Sequence, residues 1–288
     1  MTVIAMTREI GSGGAEVAAG VAAELGLEVV NSEIVATDAA GSLGVGQGTV
    51  QRYLDGTASL FERWMIDRRK LTRYTTEQIF RLAQRGNVLI RGWGAGVLFR
   101  DIPQVLSVRI CAPMAVRERL MMERLGVKDI EDVREEIERF DTARANTMKS
   151  LFNINHGDAL LYHIILNTGR ISIDTCVKLI CNLARDRRFQ DDAATQSACA
   201  DKLLETKVRA VLVERIGIEM ATISVSAASG KIILDGLTSN GGLPARAEQL
   251  ARRVEGVRDI DNRINGVPPV SVRSTWDDKP TSGQDRSS

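Results

Sequence analysis

The sequence predicts an α/β domain built on a parallel sheet, followed by a smaller α+β domain. Three observations carry this reading. An apolar run at residues 2–6 breaks into a glycine turn and then a helical pattern; later apolar runs are continuous rather than alternating; and the periodicity changes beyond about residue 200. A chain of 288 residues has room for one medium and one small domain, at about 100–200 residues each.

Taken in order, residues 2–6 form the first strand, and Gly11, Ser12, Gly13 and Gly14 the turn. Val17, Ala18, Val21, Ala22 and Leu25 then share one helical face, with Gly26 where a C-terminal cap belongs. Residues 27–30 read as the next strand. Strand, glycine turn, helix and strand open a parallel α/β sheet. Between residues 31 and 56 the run GSLGVGQG follows no strand and reads as a loop. Leu60, Trp64, Leu71, Ile79 and Leu82 mark one or two helices ending near Gly86.

Residues 88–90 and 105–112 are continuous apolar runs, as expected of strands covered on both faces. Pro113 is placed to open a helix carrying Val116, Leu120 and Met121. The charged stretch 128–149 predicts a largely solvated helix, 163–167 a last strand and 173–183 a last helix. The first domain therefore spans residues 1–185. From 186 to 200 the pattern collapses, and this is the expected linker.

The second domain spans 201–267. Leu203, Leu204, Val208, Val211 and Leu212 make a helical stripe, and Ile223, Val225 and Ala227 alternate with Ser224 and Ser226 as in a half-buried strand. Gly230 turns the chain into a hairpin partner at 231–234. Ala247, Leu250, Ala251 and Val254 form a second helix, and 257–264 a last strand. The tail 268–288, rich in Pro, Ser, Thr and Asp, is expected to be disordered.

Lys plus Arg (38) nearly cancels Asp plus Glu (37), so no global basic field draws the chain to polyanions, and no nucleic-acid partner is expected. Four cysteines without a C-x-x-C pair and only two histidines give no zinc site of familiar spacing. No apolar run approaches the length of about 18 residues needed for a membrane span. The opening MTVIAMTREIGSGG turns glycine-rich too early for a signal peptide, so the cytoplasm is the expected compartment.

Glycines between a strand and a helix let backbone N–H groups close around a phosphate, and the helix N-terminus favours the negative charge. REIGSGGAEVA has this layout but not the signature G-x-x-x-x-G-K-[ST]; a tight structural turn explains GSGG by itself equally well. The wider sequence resembles the cytidylate kinase-like family, in TREIGSGGAEVAAGVAAELGLEV, VLIRGWGAGVLFRDIPQVLSVRICAPMAVRERLMMERLGV, ERFDTARANTMKSLF and HGDALLYHIILNT. This covers roughly residues 1–185. The family's first arginine falls at Arg8, whereas its second falls at Ala15 and is missing.

The resemblance implies a P-loop nucleoside-monophosphate kinase fold, with a monophosphate-binding insertion and an arginine-bearing lid. It implies a phosphate cradle at Gly11, Ser12, Gly13 and Gly14 with Arg8 beside it. It also implies lid residues Asp141 and Arg144, preceded by Arg117 and Arg124, and a monophosphate contact at Arg91. Arg117 and Arg124 read equally well as decoration of a solvated helix. Arg91 precedes Gly92 where the family has Gly-Arg, and reads nearly as well as an arginine snorkelling at a strand end. His156 and Asp158 are expected to be structural, and Trp64 and Trp93 to pack. Residues 201–267 resemble a BON domain in helix, hairpin, helix and strand order and in the GV-x-x-I-x-N ending. That module is associated elsewhere with membrane or ligand attachment; here it implies a docking or regulatory surface for a protein or small ligand.

Two functions follow from these readings. The first is Mg²⁺-dependent transfer of the ATP γ-phosphoryl group to CMP or a related nucleoside monophosphate. The second is a degenerate kinase fold that senses a nucleotide and acts through the BON-like domain. The retained Asp141 and Arg144 favour the first, and the missing lysine and arginine of the turn favour the second.

Overall fold

The computed structural model describes residues 2–31, 40–41, 44–54, 67–92, 94–152, 154–190 and 192–267. Strand β1 (Val3–Arg8) lies at the centre of a five-stranded sheet, flanked by β3 (Val88–Arg91) and β4 (Leu106–Cys111). Strands β2 (Glu28–Val30) and β5 (Ile164–Asn167) complete the order β2-β3-β1-β4-β5, with every pair parallel. That topology, with helices on both faces, is the P-loop kinase-like arrangement.

The pleat explains why the strands are mostly apolar on both faces. Successive side chains point to opposite faces. Ile4, Met6, Leu89, Leu106, Val108 and Ile110 pack under helices α1 (Gly14–Leu25) and α7 (Ile173–Ala184). Val3, Ala5, Val88 and Ile90 face the other way, against Ile79, Phe80 and Ala83 of α3 (Arg68–Arg85) and Ala95 of the short α4 (Ala95–Leu98). Each helix thus seals one face.

Helix α2 (Gln47–Leu54) begins inside the GSLGVGQG run that was expected to be a loop, so its last residues Gln47 and Gly48 are helical. Pro113 is the N-cap of α5 (Met114–Leu125), where its missing N–H costs nothing. The charged stretch is helix α6 (Ile130–Phe152), anchored by buried Val133, Ile137 and Met148. Leu60, Trp64, Trp93 and the tail 268–288 lie outside the described residues.

The second sheet has β6 (Ile223–Ala228) antiparallel to β7 (Lys231–Thr238), and β8 (Asp259–Gly266) parallel to β7. Ser229 and Gly230, both at positive φ, make the two-residue hairpin turn, as a right-twisted hairpin requires. Helices α8 (Asp192–Ile216) and α9 (Leu243–Arg252) cover this sheet through Leu204, Val208, Leu212, Leu243, Ala247 and Ala251.

The expected linker at 186–200 is corrected by the structure. A 3-10 turn at Arg187–Phe189 buries Phe189 under the first sheet's α1 face, and α8 then runs unbroken into the second domain. Cys199 is fully buried against Phe80, Ile79 and Ala83, with Ala198 and Leu203 beside it. The sequence pattern fails here because the helix serves two cores in succession: Cys199 and Leu203 turn to one, and Leu204, Val208 and Leu212 to the other. Ion pair Lys202–Asp101 (3.5 Å) and the Gln190 amide, which donates to Thr2 Oγ1 at 3.0 Å, further bind the junction.

Candidate functional site

The turn between β1 and α1 is held from below. Ser12 is fully buried, and its hydroxyl donates to the Glu9 carbonyl at 2.7 Å, while its N–H donates to the same oxygen at 3.3 Å. Its side chain is therefore spent on the turn. Gly11 stands at φ 73°, and a Cβ there would lie 2.7 Å from the Arg117 carbonyl oxygen. The Val17 N–H donates to the Gly13 carbonyl at 3.1 Å as the helix starts, so the N–H groups of Gly14, Ala15 and Glu16, one turn or less into α1, have no intrahelical partner. These donors and the helix dipole point outward at the C-terminal edge of the sheet, where parallel α/β folds bind ligands.

Arg8 takes the space that a side chain at position 14 would need. A Cβ on Gly14 would meet Arg8 Cβ at 2.7 Å and Cδ at 3.0 Å. A P-loop lysine at position 14 and an arginine at position 8 are thus mutually exclusive. Burial, and after it the charges of Arg144, Arg91 and Arg124, push the Arg8 guanidinium down to about 10, with Glu16 opposing. Three further cations therefore lie within electrostatic reach of Arg8. Arg144 is the nearest in contact: Nη1 donates to the Arg8 carbonyl at 2.7 Å, and Nη2 lies 3.9 Å from where a Cβ on Gly92 would stand. Arg144 so spans the carboxyl ends of β1 and β3, while Arg91 ends β3 and the exposed Arg124 lies in the last turn of α5.

Arg117 and Asp141 are placed differently. Arg117 is buried, donates Nε to the Ile10 carbonyl at 2.7 Å, and pairs both terminal nitrogens with Asp141 at 2.8 and 2.9 Å. The pair joins α5, α6 and the turn, and neither group is directed at the four-arginine cluster by any contact made among the described residues.

Reasoning from sequence missed Glu9 and Arg109. Glu9 accepts from Arg109 Nη2 at 2.8 Å and from the Ala112 N–H at 3.2 Å, and its own N–H donates to the Ile110 carbonyl at 3.0 Å. It fastens the start of the turn to the end of β4. Burial pulls the Arg109 guanidinium down, but Glu9 and Tyr162 outweigh it and hold the group above its ordinary value. Arg109 also donates to the His156 carbonyl, which accepts from the Tyr162 hydroxyl at 2.7 Å. The available signal was an arginine inside LSVRIC, a strand otherwise covered on both faces. His156 has its ring displaced toward the neutral form by burial, then by Arg109 and Arg144. Asp158 caps the 3-10 turn Ala159–Leu161, accepting from the Leu160 N–H at 3.0 Å.

A parallel sheet of this order, with a glycine turn feeding a helix and arginines gathered at its carboxyl edge, defines a P-loop kinase-like protein. The chain belongs to the cytidylate kinase-like family, whose model matches residues 3–170, and residues 200–268 match the BON domain. It is 24% identical over 182 residues to the cytidylate kinase of Pyrobaculum islandicum, covering 62% of this chain and 90% of that protein. With the cytidylate kinase of Aeropyrum pernix the identity is 29% over 177 residues, covering 62% and 95%. A crystal structure of an uncharacterized protein from Eubacterium ventriosum superposes with a TM-score of 0.52 at 21% identity, over 65% of this chain and 100% of that one, a likeness of fold.

Among the described residues no group of three or more His, Cys, Asp or Glu side chains is placed to hold a metal, and no helix is long and apolar enough to cross a membrane. The nearby carboxylates Glu9 and Asp141 are committed to arginines.

Proposed function

We propose that the chain is a nucleoside-monophosphate kinase that transfers the γ-phosphoryl group of ATP to CMP or a related nucleoside monophosphate. The observation that carries this is Arg144, held on the Arg8 carbonyl at 2.7 Å beside the glycine turn, with Arg91 and Arg124 within electrostatic reach of Arg8. Four like charges held together are costly without a counter-charge, and two nucleotides bring several negative charges to one place. Unpaired N–H groups at the start of α1 bind the donor's phosphates. Arg8 supplies, from the end of β1, the cation that a P-loop lysine would supply from position 14.

Phosphoryl transfer asks the protein mainly for positioning and for cations over the equatorial oxygens of the transferring group. In this reading Arg144, already fixed between β1 and β3, carries that charge, with Arg124 beside it and Arg91 holding the acceptor's phosphate. Arg117 and Asp141 act as positioning residues that set the lid helix against the turn. Mg²⁺, bound with ATP, supplies charge neutralisation on the β- and γ-phosphates. The cytoplasm is the compartment that suits ATP as donor.

The test is direct detection of nucleoside diphosphate from ATP–Mg²⁺ with CMP, UMP and AMP offered separately. Formation of CDP above the other products supports the reading. Absence of any diphosphate, with ATP still bound, would assign the chain to nucleotide sensing through its BON domain instead.

A further inference from the structure

A second cationic surface lies far from the glycine turn in sequence, where the two domains meet. Helix α3, helix α8 and the end of α9 enclose a cleft of about 690 Å³. Its wall carries five cations, Arg73, Lys207, Arg215, Arg246 and Arg253, against the carboxylates Glu77 and Glu255. The whole chain has a net charge of only +1, so this excess of cations is local. The floor is apolar, from Val211, Leu250 and Val254 among others.

The cations are poorly compensated. Among the described residues no carboxylate lies within ion-pair distance of Lys207, Arg215 or Arg253, and Arg246 donates only to the Arg215 carbonyl, at 2.9 Å. Arg73 reaches Glu77 at 3.8 Å, too far for a hydrogen bond, and its buried Nε has no hydrogen-bond partner. A cleft in which cations outnumber carboxylates five to two over low-dielectric walls concentrates anions, and guanidinium groups match phosphate oxygens in geometry. The volume falls in the range of small-molecule sites.

We propose that this cleft is a second binding site, for a small molecule carrying two or more phosphoryl groups, which bridges the kinase-like domain and the BON domain. A single phosphate would leave most of the five cations unmet, and an apolar ligand would desolvate them. Such a ligand touches α3, the helix that leads directly into β3 and Arg91, so it acts on the element that positions the acceptor end of the other site. The inference rests on the cleft alone and stands whether or not the chain transfers phosphate.

The experiment is hydrogen–deuterium exchange of the full chain, titrated in one arm with inorganic tripolyphosphate and in another with ATP. Slowed exchange in peptides covering 68–82, 203–216 and 243–255 is the expected result, read separately from peptides covering 8–17. Protection in both arms identifies a site for polyphosphate as such, and protection with ATP alone a site for nucleotide; both support the proposal. Arg215→Glu with Arg253→Glu, both exposed positions, should weaken the cleft protection about tenfold or more while leaving protection at 8–17 intact. If that pair disturbs folding, the Gln versions keep the test, with a smaller loss. No protection of the cleft peptides in either arm, or equal protection in the variants, would overturn the proposal.

Discussion

Arg117 and Asp141 form a bidentate pair, at 2.8 and 2.9 Å, that ties helix α6 to helix α5. Because Arg117 also holds the Ile10 carbonyl, the pair fixes the turn itself. Asp141→Ala leaves a buried guanidinium half-satisfied and should cost about 1–3 kcal/mol of stability. Denaturant melts of the two proteins check this. Turnover should fall through misplacement of the turn, and Asp141→Asn, which retains one acceptor, should restore part of the stability.

Arg144→Ala removes the cation that spans β1 and β3. In the kinase reading turnover should drop about 10³-fold, as for other arginines over a transferring phosphoryl group, with little change in melting temperature. Steady-state rates and a thermal melt of each protein decide it; equal rates would remove Arg144 from the site.

Arg8 gives a test with opposite signs for stability and binding. Burial and the neighbouring cations hold its folded guanidinium down at about 10, below its ordinary value, so in the pH window above that the unfolded chain holds the extra proton. The charged form therefore disfavours folding at every pH below about 10, and stability rises only as pH climbs through that window. Arg8→Met keeps the stem over Gly14 and deletes the charge. At pH 7 it should raise the stability of the empty protein by about 1–3 kcal/mol. A lower melting temperature would contradict the electrostatic account.

The shared helix predicts that residues 1–185 alone are compromised. Such a fragment loses Phe189 from one face of the sheet and Cys199 with Leu203 from the other. Loss of a buried Phe alone typically costs about 3 kcal/mol or more. The fragment should melt well below the full chain, or precipitate. An equal melting temperature would show that the junction contributes nothing.

Thiol labelling reads the same junction. Burial pushes the Cys199 thiol up to about 12 and, first among its causes, the Cys181 thiol up to about 11, whereas Cys111 is half-buried. At pH 8 Cys111 should label first and Cys199 last, at the rate at which α8 opens from α3. Mass spectrometry after timed labelling measures the order. Cys199 labelling as fast as Cys111 would mean the helix is not seated.

Much of the fold was legible because the sheet obeys simple periodicities. The continuous run at 105–112 and Pro113 after it mark β4 and the start of α5 almost to the residue, and Ile223, Val225 and Ala227 mark β6 by alternation. The strand order and the packing of α8 were not legible, because both depend on contacts between distant residues. In α8 the buried residues nearest the junction are Thr195 and Cys199, which carry little hydrophobic signal. The arginines around Arg8 were legible by motif, but their convergence was not. Glu9 was invisible for the same reason, since its partner Arg109 lies 100 positions away.

The central claim is that the arginines at the glycine turn form a nucleotide-phosphate site in which Arg8 stands in for a P-loop lysine. Isothermal titration of ATP–Mg²⁺ into the full chain and into Arg8→Met tests it most directly. The account predicts stoichiometric binding to the natural protein and affinity weaker by about tenfold or more in the variant. Equal affinity in the two proteins, or no binding of ATP–Mg²⁺ to the natural one, would contradict it.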